Sequence, residues 1–188
     1  KEKKTIFVWP EGVFFGENFN NLKDIKSLFK KNFSTNHLII FGVNTKIKQG
    51  DNLAPKHFNS MVVVDNNLNI ISRYDKKKLV PFGEFLPFEN FLSKVGIKKI
   101  TPGYSSFSKG ENNSVINLKF DKKNINFLAL ICYEVIFPHL AENKKNQFNF
   151  IINISEDAWF GSSIGPQQHF VKAIYRAIEN GSYTLRSA

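Results

Sequence analysis

Cysteine is almost absent from this sequence. Only one of the 188 residues is a cysteine, Cys132. A single cysteine excludes an internal disulfide framework and a cysteine-rich zinc site, but it does not fix the compartment, because a periplasmic enzyme can also keep one free thiol. We expect neither a metal nor another cofactor, because the four histidines lack the spacing of metal ligands: His37, His57, His139 and His169.

Long hydrophobic runs are absent too. No apolar run approaches the roughly 20 residues that span a bilayer, and no signal peptide begins the chain. The opening residues, KEKKTIFVWPE, already lie near a predicted strand, so we expect a preceding part to have been removed. Repeats and low-complexity linkers are missing as well, and 188 residues suffice for one sizeable core. We therefore predict a single domain.

Positive charge is in excess. The sequence has 26 basic and 16 acidic residues, a formal net charge of +10. Nucleic acid and an anionic membrane surface are two partners that such a charge suits. The lysines are scattered in short clusters without the dense basic stripe of a nucleic-acid groove, so we predict no nucleic-acid partner. A solvated basic surface is the simplest interpretation, and a membrane surface is the next.

Predicted strands and helices alternate along the chain. Apolar and β-branched runs predict strands at 5–9, 37–43, 60–65, 68–74, 114–120, 125–131, 148–154 and 183–186. Helices are predicted at 18–33, from Cys132 through about Lys145, and at 167–181. The alternation favours an α/β fold, and the hairpin-like turn at Asp65-Asn66-Asn67 favours a mixed sheet. Residues 75–107 predict a long loop, which is usually functional or mobile.

Cys132 lies in ALICYEVIFP, residues 129–138, where a buried strand is predicted to turn into a helix. Such a turn would expose the sulfur near the first N–H groups of the helix. A thiol is a weak nucleophile until a base removes its proton or its surroundings favour the thiolate. Because free cysteine is among the most buried residue types, this segment alone favours a core thiol over a nucleophile.

Two other segments offer partners for a reactive thiol. In VWPEGVF, Glu11 follows a strand and a proline, and a partly buried carboxylate there could act as a general base. An ordinary exposed loop acid is the alternative. In RYDKKKLVPFGEFLP, an ammonium after the strand could stabilise an oxyanion, with a solvated charge run as the alternative. The residues do not choose between Lys76 and Lys78, which share one side of an extended chain.

Taken in chain order, these segments resemble the Glu-Lys-Cys triad of the nitrilase superfamily, and most closely its apolipoprotein N-acyltransferase branch. The resemblance covers essentially the whole chain and rests on WPEG (9–12), YDKKKLVPFGEFLP (74–87), CYEVIFP (132–138), DAWFG (157–161), GPQQHF (165–170), and RAIENG and LRS within 176–187. Glu156 stands where the family usually has Asn. The resemblance implies an α-β-β-α sandwich with mixed sheets. It also implies that residues 1–188 are a truncated catalytic domain, incomplete at both ends and without membrane helices.

The resemblance gives roles to individual residues. It implies that Glu11 is the base, Lys76 the lysine that stabilises the oxyanion, and Cys132 the nucleophile. Three further residues match supporting positions of the family: Glu84, Tyr133 and Glu134. Glu84 would buttress the lysine and the base. For Tyr133 and Glu134, ordinary helix-start chemistry is the alternative.

The reaction implied by the resemblance is a two-step acyl transfer. Cys132 would take an acyl group from a phospholipid, with phosphatidylethanolamine as the expected donor, to form a thioester. The α-amine of a diacylglyceryl-cysteine apolipoprotein would then accept that group. The implied location is the bacterial inner membrane, with the catalytic domain on the periplasmic side. Two rival functions stay open, a soluble nitrilase-like amidase and a non-catalytic binding module with a basic surface.

Phenylalanine recurs at every third position of FGEFLPFENFL, residues 82–92. Packing of this loop onto the core is one interpretation of the four residues Phe82, Phe85, Phe88 and Phe91. The other is an apolar flap that enters the bilayer or lines the acyl channel, with Lys94, Lys98 and Lys99 near lipid headgroups. Trp159 and Phe160 are similar candidates for lipid contact, although core packing is the simpler prediction for both.

Overall fold

Two mixed sheets form the centre of the protein. A computed structural model describes residues 3–14, 16–50, 53–88, 106–142 and 147–188. In these residues, eight strands form two four-stranded sheets. The first sheet has the order β1 (Thr5–Val8), β2 (His37–Ile47), β3 (Lys56–Val64) and β4 (Ile70–Asp75). The second has the order β5 (Val115–Phe120), β6 (Lys123–Ile131), β7 (Phe150–Ile154) and β8 (Tyr183–Ser187).

Strand direction places the ends of particular strands at common edges. In the first sheet β1 runs parallel to β2, and β2, β3 and β4 are antiparallel neighbours. In the second sheet β5 and β6 are antiparallel, whereas β6, β7 and β8 are parallel. The carboxyl ends of β6 and β7 therefore meet at one edge of the second sheet. The turn predicted at Asp65-Asn66-Asn67 joins β3 to β4.

Alternating side chains divide the apolar residues into layers. Leu38, Ile40 and Met61 point from the first sheet into a cluster that they share with residues of the second sheet, such as Phe127 and Ile152. Their neighbours along the same strands pack on the opposite face against the helical segment that contains Leu22 and Phe29. Alternate residues of β6 and β7 likewise pack outward, against Val135 and Ala173. Since a strand alternates its faces with period two, this arrangement confirms the predicted helix-sheet-sheet-helix sandwich.

The helices agree with the sequence at two of three places. The segment predicted at 18–33 contains a 3-10 helix, Phe19–Ile25, followed by α1, Lys26–Asn32. The helix predicted at 167–181 is α2, Gly165–Glu179, with Pro166 near its start. The helix predicted from Cys132 through about Lys145 is wrong. Two short 3-10 helices replace it, Cys132–Ile136 and Pro138–Leu140, and residues 143–146 lie outside the described residues.

Pro138 explains why a longer helix does not form after Cys132. Proline lacks an N–H and disfavours helical dihedral angles at the residue before it. Phe137 accordingly has φ −95° and ψ 107°, which is extended backbone. Of the predicted loop at 75–107, residues 89–105 lie outside the description, and so do Phe91, Lys94, Lys98 and Lys99. No helix in the described ranges is long and apolar enough to cross a membrane.

Candidate active site

Glu11, Lys76 and Cys132 all follow the ends of strands. Glu11 lies in the turn after β1, Lys76 directly follows β4, and Cys132 directly follows β6. The first two belong to one sheet and the third to the other, so the site forms where the sheets meet. Lys76 Nζ lies 3.2 Å from Glu11 Oε1, and the charges of both residues act on the Cys132 thiol. The packing of the two sheets therefore brings the three predicted residues together.

Lys76 is the lysine of this site. Its side chain is 1% exposed, and its Nζ lies 2.9 Å from Glu84 Oε1 as well as 3.2 Å from Glu11 Oε1. Burial by itself would lower the pKa of Lys76, but the charges of the two carboxylates outweigh it and hold that pKa above its ordinary value. The ammonium of Lys78 instead lies over the ring of Phe137, 5.6 Å from its centroid. The structure thus resolves the choice that the sequence left open.

Asn59 of β3 completes the charged group, and the sequence did not indicate it. Its Nδ2 donates to Glu11 Oε1 and to Glu84 Oε1, at 2.7 Å each. Its carbonyl accepts a hydrogen bond from the Lys76 backbone N–H at 2.9 Å. In the sequence, Asn59 could have been recognised as a polar residue within the strand segment HFNSMVVV. A polar side chain that a sheet removes from water requires a hydrogen-bond partner.

The carboxylates of Glu84 and Glu11 differ in how many of their oxygens accept hydrogen bonds. Glu84 uses both, since its Oε1 binds Lys76 and Asn59 while its Oε2 accepts the Val80 N–H at 2.8 Å. Glu11 binds Lys76 and Asn59 through Oε1 alone, and within the described residues no donor bonds its Oε2. The free oxygen of Glu11 is therefore the one available to accept a proton.

Cys132 occupies a sharp turn with a φ of +49°. A residue other than glycine pays of order 1 kcal/mol for this left-handed conformation, so the surrounding structure must hold it there. Burial, and next the charge of Glu11, raise the pKa of the Cys132 thiol to about 11, while Lys76 and a hydrogen bond with Ser155 oppose the rise. The thiol is therefore protonated near neutral pH and depends on a base for its activation.

Alkylation should report this raised pKa directly. We expect the rate at which iodoacetamide modifies Cys132 to rise about tenfold per pH unit from pH 8 to near pH 11, because only the thiolate reacts. Replacing Glu11 by Gln removes a negative charge, so it should lower the thiol pKa and speed alkylation at pH 8. Mass spectrometry of the Cys132 peptide in the full-length protein measures both rates. A wild-type profile that levels off below pH 9 would contradict the expectation.

Glu134 links the turn at Cys132 to the end of β4. It is fully buried, and its Oε1 accepts hydrogen bonds from the Tyr74 hydroxyl at 2.8 Å and from the backbone N–H groups of Lys77 and Lys78 at 2.7 and 3.1 Å. Its Oε2 accepts the Ile131 N–H at 2.9 Å, which is the bond expected of a helix start. Both interpretations of Glu134 thus have a contact that supports them.

Tyr133 presents its ring to Phe137. The two ring centroids lie 5.0 Å apart in an edge-to-face arrangement, and Tyr133 is partly buried. This contact places the side chain beside the short 3-10 helix rather than among the charged groups. A supporting role for Tyr133 stays a prediction.

Two glycines let the backbone of the Glu11 turn pack closely. A Cβ on Gly42 would lie 2.4 Å from the carbonyl oxygen of Glu11 and 2.5 Å from its Cα, so no side chain fits there. A Cβ on Gly12 would lie 1.9 Å from Glu156 Oε2. Glu156, which stands where the family usually has Asn, also accepts the Ala158 N–H at 3.3 Å and so caps the next 3-10 helix, Asp157–Phe160.

Gly42→Ala should displace Glu11. Because the obstructing atoms belong to the backbone, we expect a loss of about 1–3 kcal/mol in the free energy of unfolding. Gly83→Ala is the matched control, since its Cβ would meet the nearest atom, Val80 Cγ1, at an ordinary 3.5 Å. Denaturant unfolding of the two variants measures the difference. Equal stabilities would show that the Glu11 turn tolerates the extra methyl group.

Most of the candidate lipid-contact residues are exposed. Phe82, Phe88 and Trp159 are 42%, 84% and 57% exposed, and Phe160 is 39% exposed, whereas Phe85 is partly buried. Core packing, the simpler prediction for Trp159 and Phe160, is wrong. Both lie on a short 3-10 helix at the surface, and the ring of Phe160 contacts only the edge of His169 among the aromatic neighbours described.

The sequence of this chain matches a known protein family. The model of the carbon-nitrogen hydrolase family matches residues 17–188. The chain belongs to the carbon-nitrogen hydrolase family. It is also similar to proteins named apolipoprotein N-acyltransferase from Allorhizobium ampelinum (37% identity over 99% of this chain), Rhizobium rhizogenes (35% over 100%) and Brucella suis (33% over 100%). The chain spans 34% to 35% of the length of these relatives.

Solved structures of the carbon-nitrogen hydrolase type share the fold of this chain. A mutant of an amidase of the nitrilase superfamily from Nesterenkonia AN1 has a TM-score of 0.58 and 14% sequence identity, over 97% of this chain and 62% of its own. The same amidase after removal of its His-tag has a TM-score of 0.55 over 97% of this chain and 64% of its own. At this low identity the likeness extends to the fold alone.

Proposed function

We propose that the protein transfers an acyl group from a phospholipid, through a thioester on Cys132, to the N-terminal α-amine of a diacylglyceryl-cysteine apolipoprotein. The observation that carries the proposal is Lys76, which is buried between Glu11 and Glu84 and whose charge acts on the Cys132 thiol. A base, a fixed cation and a thiol in one site are the groups that acyl transfer requires. The name shared by the relatives described above supports the choice of substrates.

The first step forms the thioester. Glu11 Oε2 takes the proton of the Cys132 thiol, and the sulfur attacks the ester carbonyl carbon of the phospholipid. The Lys76 ammonium and a backbone N–H beside Cys132 stabilise the tetrahedral oxyanion. When this intermediate collapses, the ester C–O bond breaks and Glu11 returns the proton to the leaving alkoxide. The products are acyl-Cys132 and a lysophospholipid.

The second step passes the acyl group to nitrogen. The neutral α-amine of the acceptor attacks the thioester carbonyl, and Glu11 takes a proton from the attacking nitrogen. The C–S bond then breaks, and the sulfur regains its proton from Glu11 as the amide forms. Glu84 remains bonded through both oxygens during this cycle, which suits it to holding Lys76 rather than to moving protons.

Exposed aromatic side chains would meet the lipid. Phe82, Phe88, Trp159 and Phe160 present apolar area that the described core does not cover. The net charge of +10 would favour an anionic membrane surface. We place the enzyme at the bacterial inner membrane, with this domain on the periplasmic side, and phosphatidylethanolamine as the acyl donor.

Intact-mass analysis tests the proposal. The full-length protein is incubated with phosphatidylethanolamine in the absence of an acceptor, and the mass is expected to rise by one acyl group that peptide mapping places on Cys132. Cys132→Ala is the control and should gain no mass. If the wild-type protein gained no acyl group but released ammonia from small amides, this result would contradict acyl transfer and favour amide hydrolysis as the function.

A further inference from the structure

Four polar side chains outside the triad form one hydrogen-bonded group, and two of them contact the backbone carbonyl of Cys132. They come from β7, from the 3-10 helix Asp157–Phe160, from α2 and from β8, and we call them the carbonyl clamp: Asn153, Asp157, His169 and Arg186. His169 Nε2 lies 3.0 Å from the carbonyl oxygen of Cys132. Asn153 Nδ2 lies 3.5 Å from the same oxygen and 3.2 Å from the carbonyl oxygen of Leu130, so His169 is the nearer donor to Cys132. The mechanism above assigns no task to this group.

The clamp is held together by its own charges. Arg186 Nη2 donates to both carboxylate oxygens of Asp157, at 2.8 and 2.6 Å, and Arg186 Nη1 donates to Asn153 Oδ1. His169 Nδ1 lies 3.0 Å from Asp157 Oδ1. Partial burial would raise the pKa of Asp157, but the hydrogen bonds from Arg186 and His169 outweigh it and lower that pKa, so the carboxylate stays ionised. The clamp is therefore a fixed group behind the Cys132 turn.

The direction of the bond from His169 follows from its partner. A carbonyl oxygen only accepts hydrogen bonds, so His169 Nε2 must carry a proton. His169 and Asn153 are both buried, at 5% and 0% exposure, which leaves little water to take their place. Cys132 adopts its strained φ of +49° at the point where these two donors hold its carbonyl.

Holding that carbonyl also fixes the next N–H group. The peptide between Cys132 and Tyr133 is planar and trans, so its C=O and its N–H point in opposite directions. The clamp binds the oxygen, and the Tyr133 N–H therefore points away from the clamp. As the second residue of the 3-10 helix Cys132–Ile136, Tyr133 has an N–H without a partner inside that helix.

We propose that His169, together with Asn153, is a positioning residue that aims the Tyr133 N–H at the oxyanion by holding the Cys132 carbonyl. The inference rests on the proposed acyl transfer, for which it specifies the backbone donor. The proposal predicts that loss of the clamp slows some reactions of Cys132 and not others. Loss of the clamp should slow reactions that pass through an oxyanion and spare reactions of the same sulfur that do not.

Two reactions of Cys132 test this selectivity. Thioester formation from phosphatidylethanolamine develops an oxyanion, whereas alkylation by iodoacetamide displaces iodide without one. In full-length His169→Leu we expect the single-turnover acylation rate to fall roughly 10- to 100-fold, somewhat less than the loss of a whole oxyanion donor. Alkylation should change less than about threefold. His169→Gln keeps an N–H donor and should recover most of the acylation rate.

Each outcome decides the matter. Selective loss of acylation in His169→Leu, with rescue in His169→Gln, supports the positioning role. Equal acylation in wild type and His169→Leu, or an equal fall of both reactions, overturns it and leaves the thioester mechanism standing. A wild-type protein that is alkylated but never acylated overturns the proposed function and the clamp's role with it. Thermal unfolding of each variant identifies any that fail to fold, and His169→Gln then carries the comparison.

Discussion

Lys76→Met is expected to lower the acyl-transfer rate roughly 100- to 1,000-fold, the usual effect of losing an oxyanion donor. The substitution keeps the volume of the side chain but removes the ammonium that lies 2.9 and 3.2 Å from two carboxylates. Glu84 and Glu11 would then face each other across Asn59 without a neutralising charge. Removing one partner of a buried ion pair costs about 3–5 kcal/mol, so the fold should be destabilised as well.

Two variants separate the electrostatic cause from a packing effect. Lys78→Met removes a lysine two positions away, whose ammonium contacts only an aromatic ring among the interactions described, and should change stability by about 1 kcal/mol or less. Lys76→Met combined with Glu84→Gln should regain part of the lost stability, because one carboxylate is neutralised, but none of the lost activity. Denaturant unfolding and single-turnover acylation measure the two effects. If Lys76→Met kept the wild-type rate of single-turnover acylation, Lys76 would have no role in the proposed mechanism.

Glu134→Ala is expected to be the most destabilising substitution of a single carboxylate. It leaves four donors without this acceptor: the buried Tyr74 hydroxyl and Ile131 N–H, and the partly buried N–H groups of Lys77 and Lys78. At about 1 kcal/mol or more for each lost bond, the free energy of unfolding should fall by about 4 kcal/mol. Glu134→Gln should lose less, about 1–3 kcal/mol, because its oxygen can keep three donors while its NH2 faces the fourth.

The acyl-transfer rate should fall with the stability of the Glu134 variants. The lost bonds join the backbone after Lys76 to the turn of Cys132, so the lysine and the sulfur would no longer be held at a fixed separation. Glu17→Ala, which removes an exposed carboxylate, is the matched control and should change stability by less than about 0.5 kcal/mol. If Glu134→Gln folded normally and retained full activity, the link between the two strand ends would be irrelevant to catalysis.

The strands, and the places of the three proposed triad residues after strand ends, were largely predictable from the sequence. Apolar and β-branched runs located all eight described strands, because buried strands require such side chains on at least one face. Glu11 and Cys132 stood in motifs that follow strands. The family resemblance implied Lys76 rather than Lys78, whereas position along an extended chain did not separate them. In the structure, backbone bonds with Asn59 and Gly110 fix the chain after β4 and direct Lys76 inward.

The errors have local physical causes. Pro138 ended a helix that the apolar spacing after Cys132 predicted to continue. Trp159 and Phe160 were expected in the core because of their type, yet they lie on a short surface helix. Asn59 and the carbonyl clamp could not be found from spacing, since their key contacts join residues 33 to 48 positions apart and depend on which strands become neighbours within a sheet.

Each described sheet is built from an uninterrupted stretch of chain, the first from β1 to β4 and the second from β5 to β8. A ribosome therefore delivers every described strand of the first sheet, with Glu11 and Lys76, before any described strand of the second. Cys132 is synthesised after Glu11 and Lys76, and it comes close to them only when the second sheet packs on the first. The order of translation thus produces the Cys132 thiol only after the sheet that carries Glu11 and Lys76 has been synthesised.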